Sequence, residues 1–179
     1  MRLFVAIDLP EQLRAPLAGL PGGVPGARWI PPHNHHLTLR FIGDVQAHMA
    51  EEIDHTLAGL RGRAFDLTLA GIGLSSRAGR DVALWAGVER SQALDRLQSK
   101  IETALQRAGL PPERRRWSAH VTLARLDNAD PIRVAAFVQA RNLLRVGPAR
   151  IGHFTLFSSI LNKEASAYTA EVEYPLTAG

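Results

Sequence analysis

Cysteine is absent from this sequence of 179 residues, which excludes a disulfide framework and a zinc site built on thiolates. Long apolar runs are missing as well, and none approaches the ~18 residues that mark a membrane-spanning helix. Residues 1–8 are too few, and Asp8 comes too early, for a secretory signal peptide, so we expect them to form a first strand. Together these absences predict a cytoplasmic protein with no membrane partner.

Lysine is scarce. Of the 21 lysine and arginine residues, only Lys100 and Lys163 are lysines, and the net charge of the chain is +4. Arginine binds phosphate better than lysine does, since its planar guanidinium presents a fork of donors. A GC-rich coding sequence would raise the arginine content whatever the function, and we favour it over phosphate binding as the explanation of the global bias. The local run of Arg114, Arg115 and Arg116 is more specific and favours a phosphate-rich partner.

Secondary-structure patterns predict an α+β protein. Strands are expected at residues 3–8, 28–30, 37–41, 65–69, 82–88, 119–126, 150–158 and 167–174. Helices are expected at 10–20, 45–60, 94–105 and 131–141, with loops at 21–26 and 75–80. This order favours mostly antiparallel sheets, and no linker is long enough to separate independent domains. Residues 1–179 are therefore expected to form a single domain of two intimate lobes.

A tetrapeptide that joins histidine to threonine occurs twice. His36-Leu37-Thr38-Leu39 returns 84 residues later, close to half the chain, as His120-Val121-Thr122-Leu123. Both copies lie in predicted strands, where residues two apart point to the same face. Each copy therefore places an imidazole beside a hydroxyl on one face and sends its two apolar side chains into the core. Since only about 0.04 chance matches are expected, we infer that two similar halves contribute to one cleft.

Two histidines that titrate near neutral pH can divide acid and base catalysis between them. One would take a proton from an attacking oxygen, while the other would give a proton to the leaving oxygen. Displacement at phosphorus suits this division, because the nucleophile and the leaving group lie on opposite sides. The hydroxyls of Thr38 and Thr122 would then donate hydrogen bonds to the non-bridging oxygens, where charge develops.

Other interpretations of the histidines stay open. His36 and His120 could be ordinary half-buried strand residues, although a repeat half a chain apart argues against this. A metal could bind His33, His35 and His36, with His120 as a further ligand. Neighbours on a strand face opposite ways, however, and catalytic zinc needs three convergent protein ligands, so we expect no metal and no cofactor. The remaining histidines are expected to be structural or exposed: His48, His55 and His153.

The paired motifs resemble those of the two-histidine (2H) phosphoesterase superfamily. Within it, the chain is similar to the bacterial RNA 2′,3′-cyclic phosphodiesterase family, also called the 2′-5′ RNA ligase family. The similarity extends over essentially the full chain. It includes residues 2–10, Trp29, the segment 34–43 around the first motif, residues 84–88, residues 120–125 and the ending 168–176.

This resemblance implies a bilobal α+β fold with pseudo-twofold symmetry, in which two mostly antiparallel sheets with flanking helices surround a central cleft. It also implies metal-independent hydrolysis of an RNA terminal 2′,3′-cyclic phosphate to a 2′-phosphate. By the same carry-over, His36 donates a proton to the departing 3′ oxygen, and His120 is the base that activates water. Thr38 and Thr122 hold the phosphate, and Arg125 matches an arginine that helps to bind it.

Phe4 and Phe41 match family positions that stack on the terminal base, which agrees with the sequence-tolerant nature of base stacking. Both could equally be core residues of strands. Phe41 lies an even number of residues after the two leucines of the first motif, so a regular strand would point all three to the core. The sequence departs from the family at two positions. His33 stands where the family often has an acidic residue, and His35 stands where it often has an apolar residue. His35 could therefore alter the pH response of the cleft.

Three functions stay open at the level of sequence. The first is an RNA-end phosphodiesterase, and the second is a related phosphoesterase for cyclic nucleotides or 2′-5′-linked oligonucleotides, which could run in reverse as a ligase. The third is a non-catalytic RNA-binding module, which would keep the basic and aromatic residues but has no need of two histidine–threonine pairs. The expected partner is RNA with a 2′,3′-cyclic phosphate end, for which tRNA fragments are one candidate source, and the protein is expected to be a monomer.

Overall fold

The computed structural model describes residues 1–162 and 166–178. Its strands are β1 (Arg2–Asp8), β2 (Ala27–Trp29), β3 (His36–Asp44), β4 (Phe65–Arg77), β5 (Arg80–Val88), β6 (His120–Leu126), β7 (Arg145–Ile151), β8 (His153–Leu161) and β9 (Ser166–Pro175). Its helices are α1 (Glu11–Leu17), α2 (Ala47–Ala58), α3 (Gln92–Arg107) and α4 (Pro131–Arg141), and a 3₁₀ turn covers Pro32–Asn34.

The described strands form one antiparallel sheet in the order β7-β4-β5-β6-β3-β1-β8-β9, and β2 pairs with β6. We call β3, β1, β8 and β9 the His36 half-sheet, and β6, β5, β4 and β7 the His120 half-sheet. The two halves meet at the backbone pair of Leu37 with Val121. The α+β class is therefore confirmed, and the two expected sheets prove to be joined at the two motif strands.

Each half-sheet carries two helices. In the His36 half, α2 and α3 pack on each other and α3 contacts β3, while α1 packs on β7 and α4 on β4 of the other half. The helix α3 buries one apolar face, and its N-cap, Ser91, accepts a hydrogen bond from the backbone of Leu94 (3.3 Å). One hydrophobic cluster includes residues of both halves, and the one-domain organisation stays a prediction. Among the described helices, none combines the length and hydropathy needed to cross a membrane.

Both motif strands contain a β-bulge at the last residue of the motif. On β3 the register with β1 skips Leu39, and on β6 the register with β5 skips Leu123. An extra residue on one strand reverses the alternation of faces from that point onward. The next residues, Arg40 and Ala124, are therefore buried like the leucines before them. On β3 the exchange of faces extends only to Phe41, because the register with β1 shifts again at Ile42.

The hairpin of β4 and β5 is longer than predicted. The expected polar loop at residues 75–80 is wrong, because β4 continues to Arg77 and β5 begins at Arg80. The two residues between the strands, Ala78 and Gly79, both have positive φ (52° and 76°). This is the geometry of a two-residue type I′ hairpin turn, whose twist matches that of the strands, so the polar residues before it stay in the ladder.

The expected strand at residues 150–158 proves to be two strands, which are separated at Gly152. The first part of β7 was not predicted, because Gly147 (φ 108°) and Pro148 interrupt the alternation of its side chains. An edge strand such as β7 tolerates both residues. The helix α1 ends at Leu17, earlier than expected, directly after Pro16.

Candidate active site

A cavity of about 560 Å³ lies over the junction of the two motif strands. Its lining includes every residue that the sequence analysis placed in a site: Phe4, His36, Thr38, Phe41, His120, Thr122 and Arg125. It also includes residues with no predicted role in catalysis, among them Arg2, Asn34, Arg115 and Tyr168. The structure thus brings the two motifs together in one cleft, to which both half-sheets contribute.

The two histidines are held in the same way. Nδ1 of His36 donates to the backbone carbonyl of Asn34 (2.7 Å), and Nδ1 of His120 donates to that of Ser118 (2.9 Å). A carbonyl oxygen can only accept, so Nδ1 carries the proton in both rings. Nε2 is therefore the nitrogen that each ring has left for a ligand. In both cases the carbonyl belongs to the residue two before the histidine, where the motif strand begins.

Aromatic rings surround His36. Its ring centroid lies 5.0 Å from that of Phe4 and 5.2 Å from that of Tyr168, which meets it edge-on at 87°. Burial in this cluster lowers the pKa of His36 below its usual value. The bond to the backbone carbonyl and the carboxylate of Asp8 oppose this shift, while the charge of Arg125 adds to it. The surroundings of His36 therefore favour the neutral imidazole.

His120 has a different neighbour, the indole of Trp85, whose ring centroid lies 5.6 Å from the imidazole. Trp85 is paired across the β4–β5 ladder with Gly73, where an added Cβ would clash with the indole ring. The indole Nε1 donates to the hydroxyl of Ser75 (3.0 Å). Gly73 therefore leaves the space that Trp85 needs in order to pack against His120.

Both threonines line the cavity, as expected for residues that lie two positions after a histidine on the same strand. Within residues 1–162 and 166–178, neither the hydroxyl of Thr38 nor that of Thr122 has a hydrogen-bond partner, so both can donate to a ligand. The motif strands run antiparallel through their central pair. His36 consequently lies on the side of Thr122, and His120 lies on the side of Thr38.

Phe41 faces the cleft. The prediction that favoured the core, which rested on its even spacing from the leucines of the motif, is wrong. Its side chain is 46% exposed, because the bulge at Leu39 turns it to the face that carries His36. Its ring lies nearly parallel to that of Phe4 (8°, centroids 6.4 Å apart), and the guanidinium of Arg2 lies 5.4 Å from it. Phe4 is only 3% exposed, so Phe41 offers the more accessible stacking surface.

Arg125 lies five residues after His120 on β6, just as Phe41 lies five residues after His36 on β3, and it is exposed. In the part of the chain that the structure describes, no carboxylate forms an ion pair with it. Its positive charge acts on His36, whose pKa it lowers. An unpaired guanidinium beside two free hydroxyls is suited to bind an anion.

His35 lies outside the cleft, as expected for the neighbour of His36 on a strand. It is 3% exposed, and burial, with the charge of Arg14 acting in the same direction, lowers its pKa to about 4. Its Nδ1 has no hydrogen-bond partner among the described atoms. Of the other histidines, His48 and His55 are exposed on α2. Across the described ranges, no three His, Asp or Glu side chains are grouped so that they could hold a metal ion.

The segment between α3 and β6 is tied to the first motif strand. Arg40, turned inward by the bulge, donates from Nε to the carboxylate of Glu102 (2.6 Å), and the two side chains are 7% and 18% exposed. Glu102 also accepts from the backbone N–H of Glu113 (2.9 Å). Trp117 donates from Nε1 to the carbonyl of Thr38 (3.0 Å). These contacts hold the run of arginines at residues 114–116 beside the cavity.

Asn34, Tyr168 and Trp85 belong to the site, but the sequence analysis gave them no role. Asn34 also donates from Nδ2 to the carbonyl of Ser166 (2.9 Å), which links the turn before β3 to β9. The prolines at residues 31 and 32 could have indicated a fixed turn there. Nothing local indicates that Tyr168 reaches His36, because only the strand order β3-β1-β8-β9 brings them together.

Solved structures share this fold. Escherichia coli LigT in complex with 3′-AMP superposes with a TM-score of 0.79 at 27% identity, over 98% of this chain and 98% of that one. A protein of Thermus thermophilus superposes with a TM-score of 0.82 at 23% identity, over 99% of each chain, which shows the fold alone.

Comparisons of sequence agree with the predicted family. Two relatives bear the name RNA 2′,3′-cyclic phosphodiesterase: one from Archaeoglobus fulgidus is 29% identical over 94% of this chain and 96% of its own length, and one from Aeropyrum pernix is 32% identical over 82% and 84%. That name describes a hydrolase, so the prediction of an enzyme is confirmed. The family model of the 2′-5′ RNA ligase superfamily matches residues 9–162. This chain therefore belongs to the 2′-5′ RNA ligase superfamily.

Proposed function

We propose that this protein hydrolyses the 2′,3′-cyclic phosphate end of RNA to a 2′-phosphate. The observation that carries the proposal is the matched pair of His36 and His120, each with Nδ1 bound to a backbone carbonyl and each with a free threonine hydroxyl nearby in one cavity. The relatives that are named for this activity support the substrate class. The reaction forms a bond from water oxygen to phosphorus and breaks the bond from phosphorus to the 3′ oxygen.

The two histidines divide the proton transfers. His120 accepts a proton from water at Nε2, while His36, protonated at Nε2, gives its proton to the departing 3′ oxygen. An in-line displacement needs these groups on opposite sides of the phosphorus, and the histidines come from opposite half-sheets. The hydroxyls of Thr38 and Thr122 donate to the non-bridging oxygens, and Arg125 offsets their charge. Two side chains thus supply both proton transfers, and this mechanism requires no metal ion.

The lowered pKa of His36 limits the conditions under which it can act as the acid. The ring must carry a proton on Nε2, whereas burial lowers its pKa and favours the neutral form. A bound phosphate places negative charge near the ring and favours the imidazolium again. We therefore expect activity to fall as the pH rises above the lowered pKa of His36.

The test is incubation of a short RNA that ends in a 2′,3′-cyclic phosphate, in the presence of EDTA, with the product followed by phosphorus NMR. We expect complete conversion to a 2′-phosphate. Activity that disappears in EDTA and returns with zinc or manganese would contradict the two-histidine mechanism. A 3′-phosphate product would mean that the ribose sits the other way round, and the roles of His36 and His120 would be exchanged.

Formation of a 2′-5′ bond is a second candidate activity, because the matching family is described as a ligase superfamily. The 5′ hydroxyl of a second RNA would replace water in the same in-line geometry, and the same two proton transfers would serve. Adding an RNA with a 5′ hydroxyl to the same incubation tests this. A longer product that resists nucleases specific for 3′-5′ bonds is the expected sign of ligation.

A further inference from the structure

The three arginines ahead of β6 have different surroundings. Arg115 lines the catalytic cavity and also a second cavity of about 370 Å³, which we call the side groove. Arg116 lines the side groove but not the catalytic cavity, and Arg114 lines neither of the two. Both cavities include Phe41 and His120 in their walls, so the side groove opens from the catalytic cleft.

The charges of the side groove favour an anion. Its two carboxylates are engaged within the protein: Glu102 binds Arg40 (2.6 Å), and Glu113 accepts a hydrogen bond from the backbone N–H of Arg115 (3.0 Å). Neither Arg115 nor Arg116 forms an ion pair with any carboxylate of residues 1–162 or 166–178. Two guanidinium groups are therefore available in a groove whose acidic groups already have partners.

The backbone around these arginines is held in place. Trp117, directly after Arg116, is bonded to the carbonyl of Thr38, and Glu113 is bonded to Glu102 through its backbone. A segment whose backbone is already held in place loses less conformational freedom when a ligand arrives. The side groove therefore begins beside Thr38, which lines both cavities, and its two exposed arginines stand on a backbone that is held in place.

We propose that the side groove binds the phosphodiester on the 5′ side of the terminal nucleotide, with Arg116 as its principal donor. This subsite rests on the proposed function, since it extends the site for the cyclic phosphate. Phe41, the accessible stacking surface, belongs to both cavities, so a terminal base stacked on it directs the preceding nucleotide toward Arg115 and Arg116. A cyclic mononucleotide has no such phosphodiester and leaves the groove empty. The enzyme consequently prefers an oligonucleotide end to a cyclic mononucleotide.

The test compares hydrolysis of a 2′,3′-cyclic mononucleotide with hydrolysis of a five-nucleotide RNA that ends in the same group. Arg116→Ala should raise KM for the RNA about fivefold, the equivalent of ~1 kcal/mol, and lower the ratio of kcat/KM for RNA to that for the mononucleotide by the same factor. The kcat for the RNA should stay within about twofold, and Arg116→Lys should restore part of the loss. Arg114→Ala is the matched control, because it removes the same charge from the same segment and should leave both substrates unaffected.

Binding of a labelled RNA that ends in a 2′-phosphate supplies a readout independent of turnover. The slope of log affinity against log salt should fall by ~0.7 for Arg116→Ala and stay unchanged for Arg114→Ala, as expected for one lost contact to a single strand. Equal effects of the two variants, or an equal loss of activity on both substrates, would overturn the subsite. Failure of the wild-type enzyme to hydrolyse either substrate would contradict the proposed function instead, and the binding measurement would then decide the subsite by itself.

Discussion

Phe41 and Arg125 occupy the same step of the two motif strands, each five residues after its histidine, and both face the cleft because a bulge precedes them. The two half-sheets therefore present different chemistry at equivalent positions. An exposed aromatic ring on one side suits a base, and an unpaired guanidinium on the other suits a phosphate. The same bulge turns Arg40 inward, where it binds Glu102.

We expect His36→Ala and His120→Ala each to lose ~10²–10⁴-fold in kcat, since each removes one of the two proposed proton transfers. His48→Ala is the control, because His48 is exposed on α2 and does not line the catalytic cavity. Steady-state kinetics on the cyclic-phosphate RNA, with circular dichroism to verify folding, make the measurement. A folded variant with near-normal turnover would remove that histidine from the mechanism.

The alkaline limb of kcat/KM should report His36. Its pKa is lowered mainly by burial, so the protonated acid is lost at a lower pH than for an ordinary histidine. Tyr168→Ala removes a ring that lies 5.2 Å from the imidazole and admits water. The pKa of His36 should then rise toward its usual value, and the limb should move to higher pH. A limb that stays in place or moves to lower pH would show that burial beside Tyr168 does not set the pKa that limits activity at alkaline pH.

Phe41→Ala should raise KM for the RNA by about tenfold, which corresponds to ~1.4 kcal/mol and lies within the range for loss of one stacked base. The kcat should change little, because the ring does not touch the reacting atoms in the proposed roles. Phe41→Tyr keeps a stacking surface and should retain the wild-type KM. Thermal unfolding distinguishes the alternative: a large fall in Tm for Phe41→Ala would indicate a core residue, whereas its exposure predicts a small one.

Gly73→Ala should displace the indole of Trp85, because the new Cβ would overlap it, and should thereby release His120. We expect a loss of roughly ten- to a hundredfold in kcat from the misplaced base. Gly152→Ala is the control, since no atom lies within 4 Å of a Cβ added there. Changed tryptophan fluorescence without a change in kcat would mean that Trp85 does not position His120.

Stability should depend on pH through His35. Its pKa is about 4 in the folded protein, against 6.5 in the unfolded chain, because the buried ring resists charging. Its neutral form therefore contributes stability that is fully present above pH 6.5 and is lost as the pH falls through 6.5 toward 4. The loss over this window approaches ~3 kcal/mol, since each pKa unit corresponds to about 1.36 kcal/mol.

His35→Phe removes this titration while keeping a ring of similar size. Urea unfolding between about pH 4 and pH 7.5 should give a wild-type free energy that declines toward acid more steeply than that of the variant. The curve of His48→Ala should run parallel to the wild type, because His48 is exposed. Parallel curves for wild type and His35→Phe would show that His35 is not held neutral by the fold.

The sequence by itself determined the features that depend on neighbours along the chain. The two-residue period of a strand places His36 with Thr38, and His120 with Thr122, on one face. The helix α4 spans the predicted residues, because Pro131 begins it and Asp130 caps its first turn. A motif repeated half a chain apart also indicated one shared cleft, and the chain indeed brings the two copies together at Leu37 and Val121.

Only the tertiary structure decided what depends on pairing between distant segments. The bulge at Leu39 depends on how β3 pairs with β1. The alternation of side chains along β3 alone therefore could not predict that Phe41 faces the cleft. Tyr168 reaches His36 because β9 lies three strands away in the same half-sheet, and the pKa of His36 is lowered mainly by its burial in the folded sheet. Side-chain alternation is a local property of the backbone, whereas register and burial are set by contacts that close only when the whole sheet has formed.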